Sequence, residues 1–157
     1  MLRDERRVPK HRVSASCARS AILAENELKL SDNDYCFGCG KANPIGLKLD
    51  FTETEDGEYV TEFTPRPEHQ GWRDITHGGI LTTVADEAIG RMMWAKGVTA
   101  VTAEMTIQFK RPARSGAPLK VIASVVGEEG RVVDCKAEIR RLDGTLVAEA
   151  TGKMVKI

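Results

Sequence analysis

An acid with no cationic partner at helical spacing stands eight residues after a glycine that opens a helix, and these are the residues here with the clearest chemistry. His77-Gly78-Gly79 begins the long helical segment Gly78 to Lys96. Its glycines therefore sit where backbone N–H groups lack intrahelical acceptors and the helix dipole is positive. Such N–H groups suit an anionic oxygen, and residues without side chains let a ligand approach them. Asp86 and Glu87 follow on the same helix. Glu87 precedes Arg91 by four residues, the favourable order for a helical ion pair, whereas Asp86 has only Thr82, Thr83, Ile89 and Gly90 at those spacings. Glu87 reads as the structural carboxylate. Asp86 remains as the acid able to take a proton or attack a carbonyl, or else as an ordinary solvated acid.

The helix that must position these groups carries Ile80, Leu81, Val84, Ala85, Ala88, Ile89 and Met92 on one arc of about half its circumference. That arc is expected to pack on a sheet, with Asp86, Thr82, Gly90 and Met93 on the opposite side. Ahead of the helix, Leu47, Leu49 and Phe51 alternate with polar residues, predicting a strand over Gly46 to Thr54; Asp56-Gly57 turns the chain into a second strand, Glu58 to Thr64. Pro65 and Pro67 end that hairpin, and the stretch to Thr76 reads as a loop. After the helix, with Gly97 as its stop, come four strand-like runs: Val101 to Phe109, Leu119 to Gly127, Arg131 to Arg141 and Leu146 to Ile157. A hairpin, one helix and an antiparallel meander lack the crossover helices of a doubly wound parallel sheet. The fold class is α+β.

A chain of 157 residues with 41% hydrophobic residues is the size of one ordinary domain with a core. Its 23 basic and 23 acidic residues cancel, so no global field draws nucleic acid or an anionic membrane, and a polyanionic ligand must meet a local basic patch. No apolar run approaches the roughly 20 residues of a membrane span, and the start lacks a secretory core, so a cytoplasmic location is expected. The four cysteines, Cys17, Cys36, Cys39 and Cys135, are too scattered for a disulfide framework and read as reduced thiols. Residues 1–34 differ from the rest: Arg3, Arg6, Arg7, Arg12 and Arg19 crowd a segment with a short helix at most, and Asp4 and Glu5 argue against a transit peptide. This segment reads as a basic arm ahead of a domain over 35–157.

Softer signals surround the helix. Lys110, Arg111 and Arg114 flank Pro112 and could bind phosphates or form a solvated basic turn. Cys36 and Cys39 make one C-x-x-C without the second pair of a zinc site, so a structural turn is the reading, and neither metal nor cofactor is expected. Met92, Met93 and Trp94 suit an apolar pocket or helix-end packing equally.

Together, Gln70-Gly71, His77-Gly78-Gly79, Asp86 nine residues after the histidine, and Pro112 after a strand ending Phe109-Lys110-Arg111 resemble the hotdog-fold acyl-CoA thioesterase superfamily, in particular its phenylacetate-pathway branch. The opening Tyr35-Cys36-Phe37-Gly38-Cys39-Gly40 and Asn43-Pro44-Ile45-Gly46-Leu47 carry the likeness further, from about Tyr35 to Ile157. The resemblance implies five or six antiparallel strands wrapped around one long central helix, and dimers that often pair into tetramers. It implies hydrolysis of acyl-CoA thioesters, with the Gly78 N–H, beside Gly79, holding the thioester oxygen. Asp86 would be general base or nucleophile, Thr102 would assist the attacking water, Gln70 would lie near the thioester and His77 would brace the loop. Gly78 and Asp86 are about 12 Å apart along one helix, so one carbonyl is served by both only if they come from two chains related by a two-fold axis. The competing function is a non-catalytic acyl-CoA-binding regulatory protein, which would need the binding loop and basic turn but not Asp86.

Overall fold

The computed structural model describes residues 30–32 and 34–157, so the basic arm lies almost wholly outside the described residues. The order of elements is β1 (Thr52–Glu53), β2 (Tyr59–Phe63), a 3-10 turn (Pro67–His69), β3 (Gln70–Trp72), β4 (Ile75–Thr76), α1 (Gly78–Ala95), β5 (Ala100–Phe109), β6 (Leu119–Glu129), β7 (Val132–Arg141) and β8 (Leu146–Lys156). Six strands form one antiparallel sheet in the order β1-β2-β6-β7-β8-β5; β3 and β4 make a separate small hairpin. The 18-residue α1 lies across this sheet, against β5, β6, β7 and β8 and the edge of β2. This is the expected α+β architecture, one long helix held by a six-stranded antiparallel sheet.

Helix and sheet meet in a core in which Val84, Ala85, Ala88, Ile89 and Met92 are fully buried against Val121, Ala123, Cys135, Ala137, Ile139, Ala150 and Met154. Two alanines on the inward face allow close approach, and Gly152 of β8 leaves room for Ile89 Cδ1, which a Cβ would meet at 3.4 Å. Alternation along β7 places Val133, Cys135, Ala137 and Ile139 inward, while Lys136, Glu138 and Arg140 form an outer ion network. Truncating Ile89 to alanine would cost roughly 2–5 kcal/mol, because so central a site cannot collapse fully. The buried arc of α1 also takes in Met93, expected on the Asp86 side, and leaves Ile80 half-buried. Met93 packs beside the Cys135 sulfur, whose thiol is pushed up to about 11 by burial.

Both helix ends follow from sequence. His77 is the N-cap, and its ring Nδ1 accepts the Gly79 N–H at 2.8 Å. At the other end Gly97 adopts φ +72°; its N–H bonds Trp94 O at 2.9 Å and that of Val98 bonds Met93 O at 3.0 Å, the paired bonds of a Schellman stop.

Two expectations need correction. The strand expected over Gly46 to Thr54 pairs only at Thr52–Glu53, because Lys48 takes φ +60° and the N–H groups of Leu47 and Leu49 bond the carbonyls of Phe37 and Gly38. The alternation of buried Leu47 and Leu49 is real, but it packs a loop onto the core. Conversely, the stretch expected as loop before Thr76 contains the 3-10 turn and the β3–β4 hairpin.

Candidate active site at the helix and the edge strand

Asp86 finds its partner across elements. The Thr102 hydroxyl donates to Asp86 Oδ1 at 2.7 Å, from the start of β5. Beside Thr102 the pairing of β5 with β8 shifts register between Thr102 and Glu104, the signature of a bulge that re-aims side chains at a strand end. Asp86 is half-buried and Thr102 exposed, so the pair is anchored on the helix yet open to a ligand.

The N-terminus of α1 is arranged to leave one donor free. The Ile80 and Leu81 N–H groups bond His77 O, at 3.0 and 3.3 Å, and the Gly79 N–H is taken by the His77 ring. The Gly78 N–H has no acceptor among the described residues. His77 thus consumes the Gly79 donor and leaves the Gly78 one. The loop around it is braced: His77 N–H bonds His69 O at 2.8 Å, and Gly71 packs on the His77 ring, which a Cβ there would approach to 3.0 Å. Phe109, half exposed at the far end of β5, lies over Gly78, where a Cβ would stand 3.2 Å from its ring. Sequence reasoning used Phe109 only as part of a motif; its place at the end of a strand that runs back alongside the helix start was the available signal.

Gln70 accepts the Asp74 N–H through Oε1 at 2.9 Å, so in this chain its side chain braces the β3–β4 turn, where Asp74 has φ +61°. His69 beneath it is buried and accepts the Arg66 N–H at Nδ1, 3.0 Å; burial, together with the nearby Arg66 charge, holds its pKa below the ordinary histidine value. In the basic turn, Lys110 is paired with Glu149 at 2.8 Å and Arg111 donates to Leu146 O at 3.1 Å. The Arg114 guanidinium is exposed with no partner among the described residues.

The structure does not make the expected Glu87–Arg91 pair. Arg91 reaches Asp32 at 2.7 Å instead, and Glu87 turns to the C-x-x-C, where the Cys36 thiol lies 3.5 and 3.4 Å from its two oxygens. Burial, and then the neighbouring Glu87, push the Cys39 thiol far above its ordinary range. A distant partner has outcompeted the local i,i+4 pair. Trp94 is exposed, while Met92 and Met93 are core, so helix-end packing accounts for the two methionines.

One helix held by a six-stranded antiparallel sheet, with a glycine at the helix start and an acid near mid-helix, defines a hotdog domain with a candidate acyl-transfer site. Residues 74–148 match the family model of the thioesterase superfamily. It is 31% identical over 108 residues to a Bos taurus protein named acyl-coenzyme A thioesterase THEM4, a match spanning 68% of this chain and 44% of that one. The chain spans about half the length of this relative and of its Xenopus laevis counterpart. It is 27% identical over 141 residues to the Escherichia coli acyl-coenzyme A thioesterase PaaI, covering 80% of this chain and 96% of that protein. The solved structure of the E. coli PaaI protein superposes with a TM-score of 0.66 at 28% identity, over 74% of this chain and 86% of the other. Among the described residues no helix is long and apolar enough to cross a membrane.

Proposed function

We propose that the protein hydrolyses acyl-coenzyme A thioesters to the free acid and coenzyme A. The observation that carries this reading is the Thr102–Asp86 hydrogen bond on a helix whose first N–H, at Gly78, is left without an acceptor among the described residues. A carboxylate held at a fixed angle can activate water or attack the thioester carbonyl, and an oriented N–H stabilises the oxyanion that results. The names of the bovine and E. coli relatives support the substrate class.

In this reading the site is shared between two chains. Strand β5 is ten residues long and stands at the edge of the sheet, with one side of its ladder unpaired among the described residues. Its Thr102 end adjoins Asp86 and its Phe109 end adjoins Gly78. If β5 pairs antiparallel with its own copy, the Thr102 end of each strand meets the Phe109 end of the other. Asp86 of one protomer and Gly78 of its partner then converge, giving two equivalent sites per dimer. Arg114 is the cation best placed to meet a coenzyme A phosphate, since Lys110 and Arg111 already have partners.

Aromatic, short-chain and long-chain acyl-CoAs, offered to the purified protein with thiol detection, test the reading. Thiol release abolished by Asp86→Asn is the expected result. Tight acyl-CoA binding without turnover of any member would instead make the protein a regulatory acyl-CoA binder.

A further inference from the structure

We propose that Cys36, Cys39 and Glu87 form a binding site for one thiophilic divalent cation of the zinc class, stapling the segment before the sheet to α1. The turn that presents the sulfurs is rigid. Gly40 N–H bonds Cys36 O at 2.9 Å, and a Cβ on Gly40 would lie 2.4 Å from the Cys36 nitrogen, so the backbone closes too tightly for any side chain there. Lys48 locks it from below, its ammonium donating to Gly40 O at 3.1 Å and to the carbonyls of Lys41 and Asn43.

The third donor comes from the helix, 51 residues away in sequence. The two sulfurs and a Glu87 oxygen all lie within 4.8 Å of one another, half-buried. Around a tetrahedral zinc ion, with bonds of roughly 2.3 Å to sulfur and 2.0–2.2 Å to oxygen, donors stand roughly 3.5–3.8 Å apart, so a contraction of about 1 Å completes the set. The turn presses on the carboxylate as well: a Cβ on Gly38 would fall 2.4 Å from Glu87 Cδ.

Charge supplies the second argument. Glu87 forgoes the cation one helical turn away, Arg91, which pairs with Asp32. Among the described residues Glu87 has no cationic partner, only the two thiols beside it. Three groups that can each become anionic are gathered here, and the Arg91 guanidinium near Cys39 is already paired with Asp32; a divalent metal would neutralise them, and the fourth coordination position is left to water. Cys39 borders a cavity of about 470 Å³, also lined by Asp34, Tyr59 and Arg91, through which metal and water can enter.

The test uses the full chain purified under reducing conditions. Metal content is measured by elemental analysis after growth with zinc, and the metal-free protein is titrated with Co²⁺ while the thiolate-to-cobalt charge-transfer band is recorded. We expect one zinc per chain and a band that saturates at one equivalent. Cys36→Ser and Cys39→Ser should each abolish stoichiometric binding, Cys17→Ser should leave it unchanged, and Glu87→Gln, which keeps both thiols, should weaken it by about tenfold or more. Far-UV circular dichroism checks that each variant folds, and the wild-type metal content depends on no variant. A metal-free wild type with no cobalt band would overturn the proposal. So would a band that survives in the double cysteine variant, an unweakened Glu87→Gln protein, or a Cys36–Cys39 disulfide that persists in reductant.

Discussion

Thr102 and Asp86, sixteen residues apart on β5 and α1, are joined by a 2.7 Å hydrogen bond that holds the carboxylate at one angle to the edge of the sheet. A threonine bonded to one oxygen leaves the other to face a water or a carbonyl. Its Oγ1 also lies 3.3 Å from Met154 Sδ, so the hydroxyl is seated on the core side. If the carboxylate is the base or nucleophile, Asp86→Asn should lower kcat by about 10²–10⁴-fold with acyl-CoA binding retained. Thr102→Val should cost less, about tenfold to a hundredfold in kcat, as expected for a hydrogen bond to a charged group worth roughly 1.5–3 kcal/mol. Steady-state kinetics on both variants decide the matter; an Asp86→Asn enzyme as fast as the wild type would mean that another group does the chemistry.

The three cations of the basic turn should not behave alike. Lys110 is held by Glu149 and Arg111 by a backbone carbonyl, while Arg114 has no partner among the described residues. Contacts to coenzyme A phosphates persist from ground to transition state, so losing them raises KM and spares kcat. Arg114→Ala is expected to raise KM for acyl-CoA several-fold, and Lys110→Ala less. Equal kinetics in wild type and the triple alanine variant would return this turn to a solvated surface.

The bounds of α1 and the four strands after it were legible because several local signals agree: apolar period, glycine stop and turn residues all mark the same boundaries. What sequence could not show was decided by contacts distant in the chain. Alternation at Leu47 and Leu49 looks like a strand, but Lys48 in the left-handed region and bonds to Phe37 and Gly38 make it a buried loop. The i,i+4 spacing of Glu87 and Arg91 is correct, yet each side chain is claimed from outside the helix, by Cys36 and Asp32. Helix position alone left Asp86 open to being a solvated acid and made the glycine start a weak signal, and their spacing within a family motif singled them out; Thr102 came from the family resemblance only, since nothing local ties a strand threonine to a helix acid.

His69 should make stability pH-dependent. Burial and Arg66 hold its folded-state pKa below the unfolded value, so folding favours the neutral ring. Its contribution is therefore fully present above the unfolded pKa of about 6.5 and is lost as pH falls through the folded value. Thermal unfolding should show a falling Tm below about pH 6.5, and His69→Asn, which can still accept the Arg66 N–H, should flatten that part of the profile. An unchanged slope in the variant would assign the acid sensitivity to other groups.

The two-chain site makes the most demanding prediction. Gly78→Pro removes the N–H that the helix leaves unbonded, at a first helical position where proline is ordinarily accepted, although Phe109 must yield to its ring. Losing one oxyanion donor should lower kcat by about 10²–10³-fold. Asp86→Asn homodimers and Gly78→Pro homodimers should each be nearly inactive, since both of their sites lack the same group. A mixed dimer, however, combines one site carrying both lesions with one carrying neither. Mixing and re-equilibrating the two variants should recover up to half the activity of wild type in each heterodimer, with light scattering used to show that both still associate. Recovery requires Gly78 and Asp86 to act from different protomers. If the variants associate fully and no activity returns, both groups serve their site from the same chain and the pairing of β5 edges does not build it.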